Sequence, residues 1–131
     1  MKRRSKYILL IAAFAAITLA IDYWNVTRKE KLLSSAVLQI GGRSHSIPMW
    51  PVGTEYRITL TAIPTHEQLD QLKIANTMRG WVTIAFADCD LSAEERDRLR
   101  GILNCCHLYV VEDGKMNSMS NPTRIRTNHS K

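Results

Sequence analysis

The spacing of apolar positions changes twice along the chain. From Tyr7 to Ile21, YILLIAAFAAITLAI, 15 residues pass without a charge. Residues 25–35 are polar apart from Leu32-Leu33, and the apolar run Ala36–Ile40 is stopped by Gly41-Gly42. Two glycines after an apolar helical run mark a helix C-terminus, so a helix is expected to leave the first segment as a stalk. Residues 43–54 hold two prolines and a glycine around Trp50, which predicts a connecting loop with a short strand at Ser44–Ile47. Beyond residue 55 the period becomes two. Ile58 and Leu60 alternate with Arg57, Thr59 and Thr61, the mark of a half-buried strand. Val82, Ile84 and Phe86 repeat the pattern, and His107–Val111 repeats it again before the Asp113-Gly114 turn.

Helices are predicted between these strands. Thr65 with Gln68, and Ser92 with Glu95, have the spacing of capping boxes, in which two backbone donors at a helix start are satisfied reciprocally. The first helix turns Leu69, Leu72 and Ala75 or Asn76 inward. The second turns Leu99, Ile102 and Leu103 inward and leaves Glu94, Glu95, Arg96, Asp97, Arg98 and Arg100 in water. From Lys115 the chain has no acid, several Ser and Asn, and Pro122, which predicts an unstructured basic tail. The expected organisation is therefore an apolar helix over 1–24, a stalk helix and loop over 25–54, an α/β module of βαβαβ order over 55–114, and a tail over 115–131.

Charge separates two readings of the first segment from a soluble one. Four of the 18 basic residues, Lys2, Arg3, Arg4 and Lys6, precede it, and past residue 24 the balance is 14 basic to 11 acidic. The segment fits a cleaved signal peptide, with a small-x-small site at Thr18-Leu19-Ala20 and cleavage near Ala20. It also fits an uncleaved anchor. Extended through Tyr23 and Trp24, a helix at about 1.5 Å per residue spans about 27 Å, against a hydrocarbon core of about 30 Å. Tyr and Trp suit the headgroup level. Either way the basic flank stays in the cytoplasm and residues 25–131 are exported; the bilayer is then the partner of Tyr7–Trp24.

The strand pairs Ile58/Leu60, Ile84/Phe86 and Leu108/Val110 recur at intervals of about 26 residues, a leucine-rich-repeat period, and the repeat motif runs L-x-x-L-x-L-x-x-N/C-x-L. Trp81-x-x-Ile84-x-Phe86-x-x-Cys89-x-Leu91 fits each position when bulky apolar residues replace Leu. The units on either side fit at two positions each. Stacked units would close one another's open apolar faces. A plain βαβαβ domain without repeat ancestry has the same spacing.

The order of these features resembles the short membrane-anchored leucine-rich-repeat proteins of planctomycete bacteria. The pieces that match are Lys2–Lys6, Tyr7–Ile21, Arg28–Ile40 with Gly41-Gly42, Trp50-Pro51, and Trp81 through Leu99. The sequence departs from that pattern at Cys89, Ala93 and Arg96. The resemblance implies a short repeat module of two to three units that binds or scaffolds, with no catalytic residues.

Three cysteines, Cys89, Cys105 and Cys106, leave one unpaired in any disulfide scheme. In the repeat frame Cys89 fills the buried N/C position and Cys105 the first apolar position of the next unit; pairing of Cys89 with Cys105 or Cys106 is the alternative. Cys105-Cys106-His107 is too crowded to supply three ligands to a tetrahedral zinc, so no metal or cofactor is expected. Asp88 and Asp90 read as solvated groups before a helix N-terminus. No phosphate-binding glycine loop is present. Arg124 and Arg126 read as a solvated tail, and no nucleic-acid partner is expected. The sequons at Asn25 and Asn128 matter only in a eukaryotic secretory host.

These readings converge on a non-catalytic, membrane-anchored interaction or scaffolding module on the exported side. Its expected contact surface is the strand face carrying Arg57, Thr59, Thr61, Thr83, Ala85 and Tyr109, with another protein or envelope component as partner. The rival expectation is a small secreted thiol protein or enzyme using Cys105-Cys106.

Overall fold

The computed structural model describes residues 2–119. The tail residues 120–131, with Arg124, Arg126 and the Asn128 sequon, lie outside the described residues. A single helix, α1, runs unbroken over Lys2–Gln39, and five strands follow: β1 (Arg43–Ile47), β2 (Thr54–Leu60), β3 (Gly80–Ala87), β4 (His107–Glu112) and β5 (Lys115–Ser118). Helix α2 (His66–Leu72), continued by a 3-10 turn over Lys73–Thr77, joins β2 to β3, and α3 (Ala93–Ile102) joins β3 to β4. Both expected capping boxes form: the Thr65 and Ser92 hydroxyls accept from the backbone N–H groups of Gln68 and Glu95, whose side chains accept in return.

The strands form one mixed sheet in the order β1-β2-β3-β4-β5. β2, β3 and β4 are parallel, and β1 and β5 close the two edges antiparallel. Same-handed crossovers that always step to the next strand put every connecting helix on one side. The burial pattern agrees. Tyr56, Ile58, Leu60, Val82, Ile84, Phe86, Leu108 and Val110 share one core with Leu69, Leu72, Leu99 and Leu103 of the helices. The alternate strand residues point away from it. Among the described residues the architecture is thus two layers, helices beneath and a sheet above with no helix over its other face.

The expected stalk is helical, and it is also part of the core. Leu33, Ala36, Val37 and Ile40 are buried in the same cluster, at the i, i+3, i+4, i+7 spacing of one helix face. Gly41 ends α1 in a left-handed conformation (φ 77°), and the Gly42 N–H reaches back to the Val37 carbonyl at 2.9 Å. A Cβ at Gly42 would lie 2.6 Å from Leu60 Cδ2, so β1 can turn closely across the end of β2 only with glycine there.

Three expectations need correction. The first residues of the expected tail are strand: Lys115–Ser118 pairs with β4 from Tyr109↔Ser118 to Glu112↔Lys115, and Met119 is buried with its N–H on the Leu108 carbonyl at 2.8 Å. The Asp113-Gly114 turn makes a hairpin, whose backbone ladder needs no apolar period of its own. Trp81 does not enter the core as a leading repeat position would. It is 72% exposed, because Val82, Ile84 and Phe86 already set the inward parity of β3. Cys105 is also exposed, and Cys106 takes the buried place beside it.

Two outcomes check this packing by chemical unfolding. Phe86→Ala and Leu99→Ala, each emptying a fully buried site, should cost about 2–5 kcal/mol apiece, whereas Arg98→Ala on the exposed side of α3 should cost under about 0.5 kcal/mol. A chain ending at Gly114 should melt at least about 5 °C below one ending at Met119, since losing even 1 kcal/mol moves the midpoint of a domain this size by about 4–8 °C.

Candidate functional site

The outward residues of the strands form a continuous open face. Pairing places them in cross-strand rows: His45, Arg57, Thr83 and His107 in one, and Arg43, Thr59, Ala85, Tyr109 and Ser118 in the next. Five of the six residues expected as a contact surface, Arg57, Thr59, Thr83, Ala85 and Tyr109, therefore sit together. Thr61 lies in the bend after β2 and is exposed. Arg57 pairs with Glu55 at 2.8 Å. Tyr109 is half-buried and Ala85 only 8% exposed, so the middle of the face is a shallow, weakly polar floor. At its far corner Val111 lies opposite Met116.

A second cluster joins the domain to the apolar helix. Arg79 donates to both carboxylate oxygens of Asp22, at 2.6 and 2.9 Å, and to the Pro51 carbonyl at 3.2 Å. Trp50 Nε1 donates to Asp22 Oδ2 at 3.3 Å, and the Trp50 ring meets Tyr23 edge-on at 5.5 Å. One turn and more further along α1, Lys29 Nζ donates to the Thr77 carbonyl. Glu30 Oε1 accepts from Thr54 Oγ1 at 3.2 Å and from the Tyr56 hydroxyl at 2.5 Å. Burial, then the Glu30 carboxylate, pushes the Tyr56 phenol well above its ordinary value. Along the helix the partners run from Arg79 and Trp50 at Asp22, to Thr54 and Tyr56 at Glu30, to Leu60 beside Val37 at Gly42. The parallel strands therefore point away from the apolar segment.

No family model, curated protein or solved structure matches this chain.

The three thiols are free. Cys89 is half-buried, its Sγ 3.3 Å from the Ala87 carbonyl, and burial followed by the Asp88 charge raises its pKa. Burial, with a smaller contribution from Cys105, pushes Cys106 up to about 12. A thiol nucleophile needs the opposite shift. Asp88 occupies a left-handed turn position (φ 57°), and both it and Asp90 are exposed. Among the described residues no three His, Cys, Asp or Glu side chains converge as a metal site.

Two residues carry geometry that the sequence did not announce: Arg79 gave no pattern, and Asn76 was read only as a possible inward position. Arg79 is distant from Asp22 in the chain, and only folding pairs them. Asn76 braces two successive units: its Nδ2 donates to the Ile102 carbonyl at 2.7 Å and its Oδ1 accepts from the Cys105 N–H at 3.2 Å.

The raised Cys106 pKa makes stability depend on pH. The folded thiol ionises near 12 instead of 9.0, so its contribution is complete below pH 9 and is lost as pH rises from there toward 12. Tyr56 acts in the same direction above 10.0. Cys106→Ala should therefore flatten the fall of the guanidinium midpoint between pH 9 and pH 10, where the phenol contributes least. An equally steep fall in the variant would assign the loss to other groups.

Proposed function

We propose that the chain is a single-pass, membrane-anchored interaction module, with its N-terminus in the cytoplasm, its α/β domain on the exported side, and no catalytic role. The observation that carries this reading is the bare sheet. Parallel strands are ordinarily covered on both faces, yet among the described residues β2, β3 and β4 have helices on one side only. Their other side offers Arg57, Thr59, Thr83, Ala85 and Tyr109 on a shallow floor, and another protein at that surface supplies the missing layer. Kinship with the short leucine-rich-repeat proteins belongs to this proposal, because an open parallel face is where stacked repeats bind.

Anchoring has its own support. Ser5–Gln39 includes a stretch long and apolar enough to cross a membrane, and none of that stretch is buried by the domain. Such a helix is compatible with an anchor or a signal sequence. Cleavage near Ala20 would leave Asp22 and Tyr23 at a new chain end, although the domain fastens onto both through Arg79 and Trp50. The basic residues before Tyr7 favour the cytoplasmic side for the N-terminus.

Two measurements on the full-length chain in its own membranes test the proposal. The protein should resist carbonate extraction and keep its N-terminus; a mature chain beginning at Ile21 would overturn the anchor. In a Cys105→Ser background, Thr83→Cys should react slowly with a maleimide in those membranes and rapidly after purification. Asp97→Cys, on the exposed side of α3, should react rapidly in both. Equal labelling of Thr83→Cys before and after purification would remove the open face as the contact surface.

A further inference from the structure

Four large apolar side chains outside the core gather at one edge of the domain: Val52 is 79% exposed, Trp81 72%, Met49 51% and Trp50 39%. They come from two segments, the β1–β2 loop and the start of β3. Gly53 and Gly80 bring these segments into contact, and a Cβ at Gly80 would lie 2.2 Å from the Thr54 carbonyl oxygen. Met49, Val52 and Trp81 line one shallow cleft there. Scattered apolar residues on a surface are ordinary, but a contiguous group of this size marks a contact site.

The position of this edge along α1 identifies what it meets. Trp50 and Arg79 both hold Asp22, and Trp81 follows Arg79 by two residues, within about 7 Å along the strand. The edge therefore lies level with Asp22-Tyr23-Trp24. A helix needs about 20 residues to cross about 30 Å of hydrocarbon. Counted from Lys6, that distance ends about four residues beyond Asp22. The apolar segment alone is too short, so the bilayer surface reaches the edge of the domain. The chemistry there suits a headgroup layer. The Asp22 carboxylate is paired on both oxygens by Arg79, as a charge near hydrocarbon must be. Tyr23, Trp24, Trp50 and Trp81 make the aromatic belt expected at that depth.

We propose that the edge formed by Met49, Trp50, Val52 and Trp81 is a second lipid-contact surface, seated in the headgroup layer beside the anchor. It supplies laterally the apolar contact that the helix lacks in length. This rests on the anchor reading above, and the two are separable by experiment.

The test places full-length protein in phosphatidylcholine–phosphatidylglycerol vesicles whose lipids are brominated at acyl positions nearest the headgroup, and reads tryptophan quenching. A variant keeping only Trp24 (Trp50→Phe, Trp81→Phe) reports the anchor. A variant keeping only Trp81 (Trp24→Phe, Trp50→Phe) reports the edge, and one keeping only Trp50 (Trp24→Phe, Trp81→Phe) repeats that measurement should the other fold poorly. Thr61→Trp in a chain with all three tryptophans changed to Phe reports the far end of β2. Loss of emission with a blue shift at Trp24, Trp81 and Trp50, and none at the Thr61→Trp position, is expected. Quenching of Trp24 without Trp81 or Trp50 overturns the second contact and leaves the anchor standing. No quenching of Trp24 overturns the anchor and the edge together. Equal quenching at the Thr61→Trp position means the whole domain lies on the lipid, and overturns the assignment to this edge.

Discussion

Leu33, Ala36, Val37 and Ile40 lie beneath the sheet, and their burial joins an apolar helix to a folded domain without a joint. Leu33, Val37 and Ile40 each contribute about 1.5–3 kcal/mol on leaving water, so the end of α1 cannot detach without opening the core. Residues 7–20 of that helix are apolar on all sides and exposed on all sides, which suits a solvent other than water. The second half is apolar on one face. Other features follow from this junction. It sets the direction in which the strands run, brings Arg79 and Trp50 onto Asp22, and places Glu30 under the hydroxyls of Thr54 and Tyr56.

The sheet is the second element that sets the functional reading. Its connections step in one direction, so its helices have only one side to occupy, and the helix layer is completed by α1. Among the described residues no helix covers the other side. On that side Ala85 is nearly buried and Tyr109 half-buried, and the proposed association rests on the floor they make. The buried thiols, by contrast, are held protonated by their surroundings, and burial is a packing role.

Much of this was legible in the residues. The parity of Ile58/Leu60, Ile84/Phe86 and Leu108/Val110 gave three strands, and the two capping boxes gave the helix starts, because both signals are local. What escaped was whatever depends on partners distant in the chain. β5 has one apolar residue, Met116, and is held by backbone bonds to β4, so no hydrophobic period announced it. The spacing of Leu33, Ala36, Val37 and Ile40 was visible, but a helix leaving an apolar segment reads equally well as a stalk until something is known to lie against it. Trp81 fitted a repeat motif by residue type and failed it by parity. Of the six residues expected on the open face, five lie on it, since outward positions follow once inward ones are known; Thr61 falls in the bend after β2. The Asp22–Arg79 pair had no sequence signal at all.

The continuity of α1 has a mechanical consequence. Embedded as proposed, the helix emerges near Asp22 and continues about 26 Å to Gln39 as one rod. Membrane helices tilt by about 20° on average, and a rod of that length leaning by that angle carries its outer end about 9 Å sideways. The sheet travels with it, because nothing between them bends. The heading of the open face is therefore steered by the bilayer. A thicker or thinner membrane, by changing the lean of the rod, would swing the face toward or away from a neighbour without altering a single contact inside the domain.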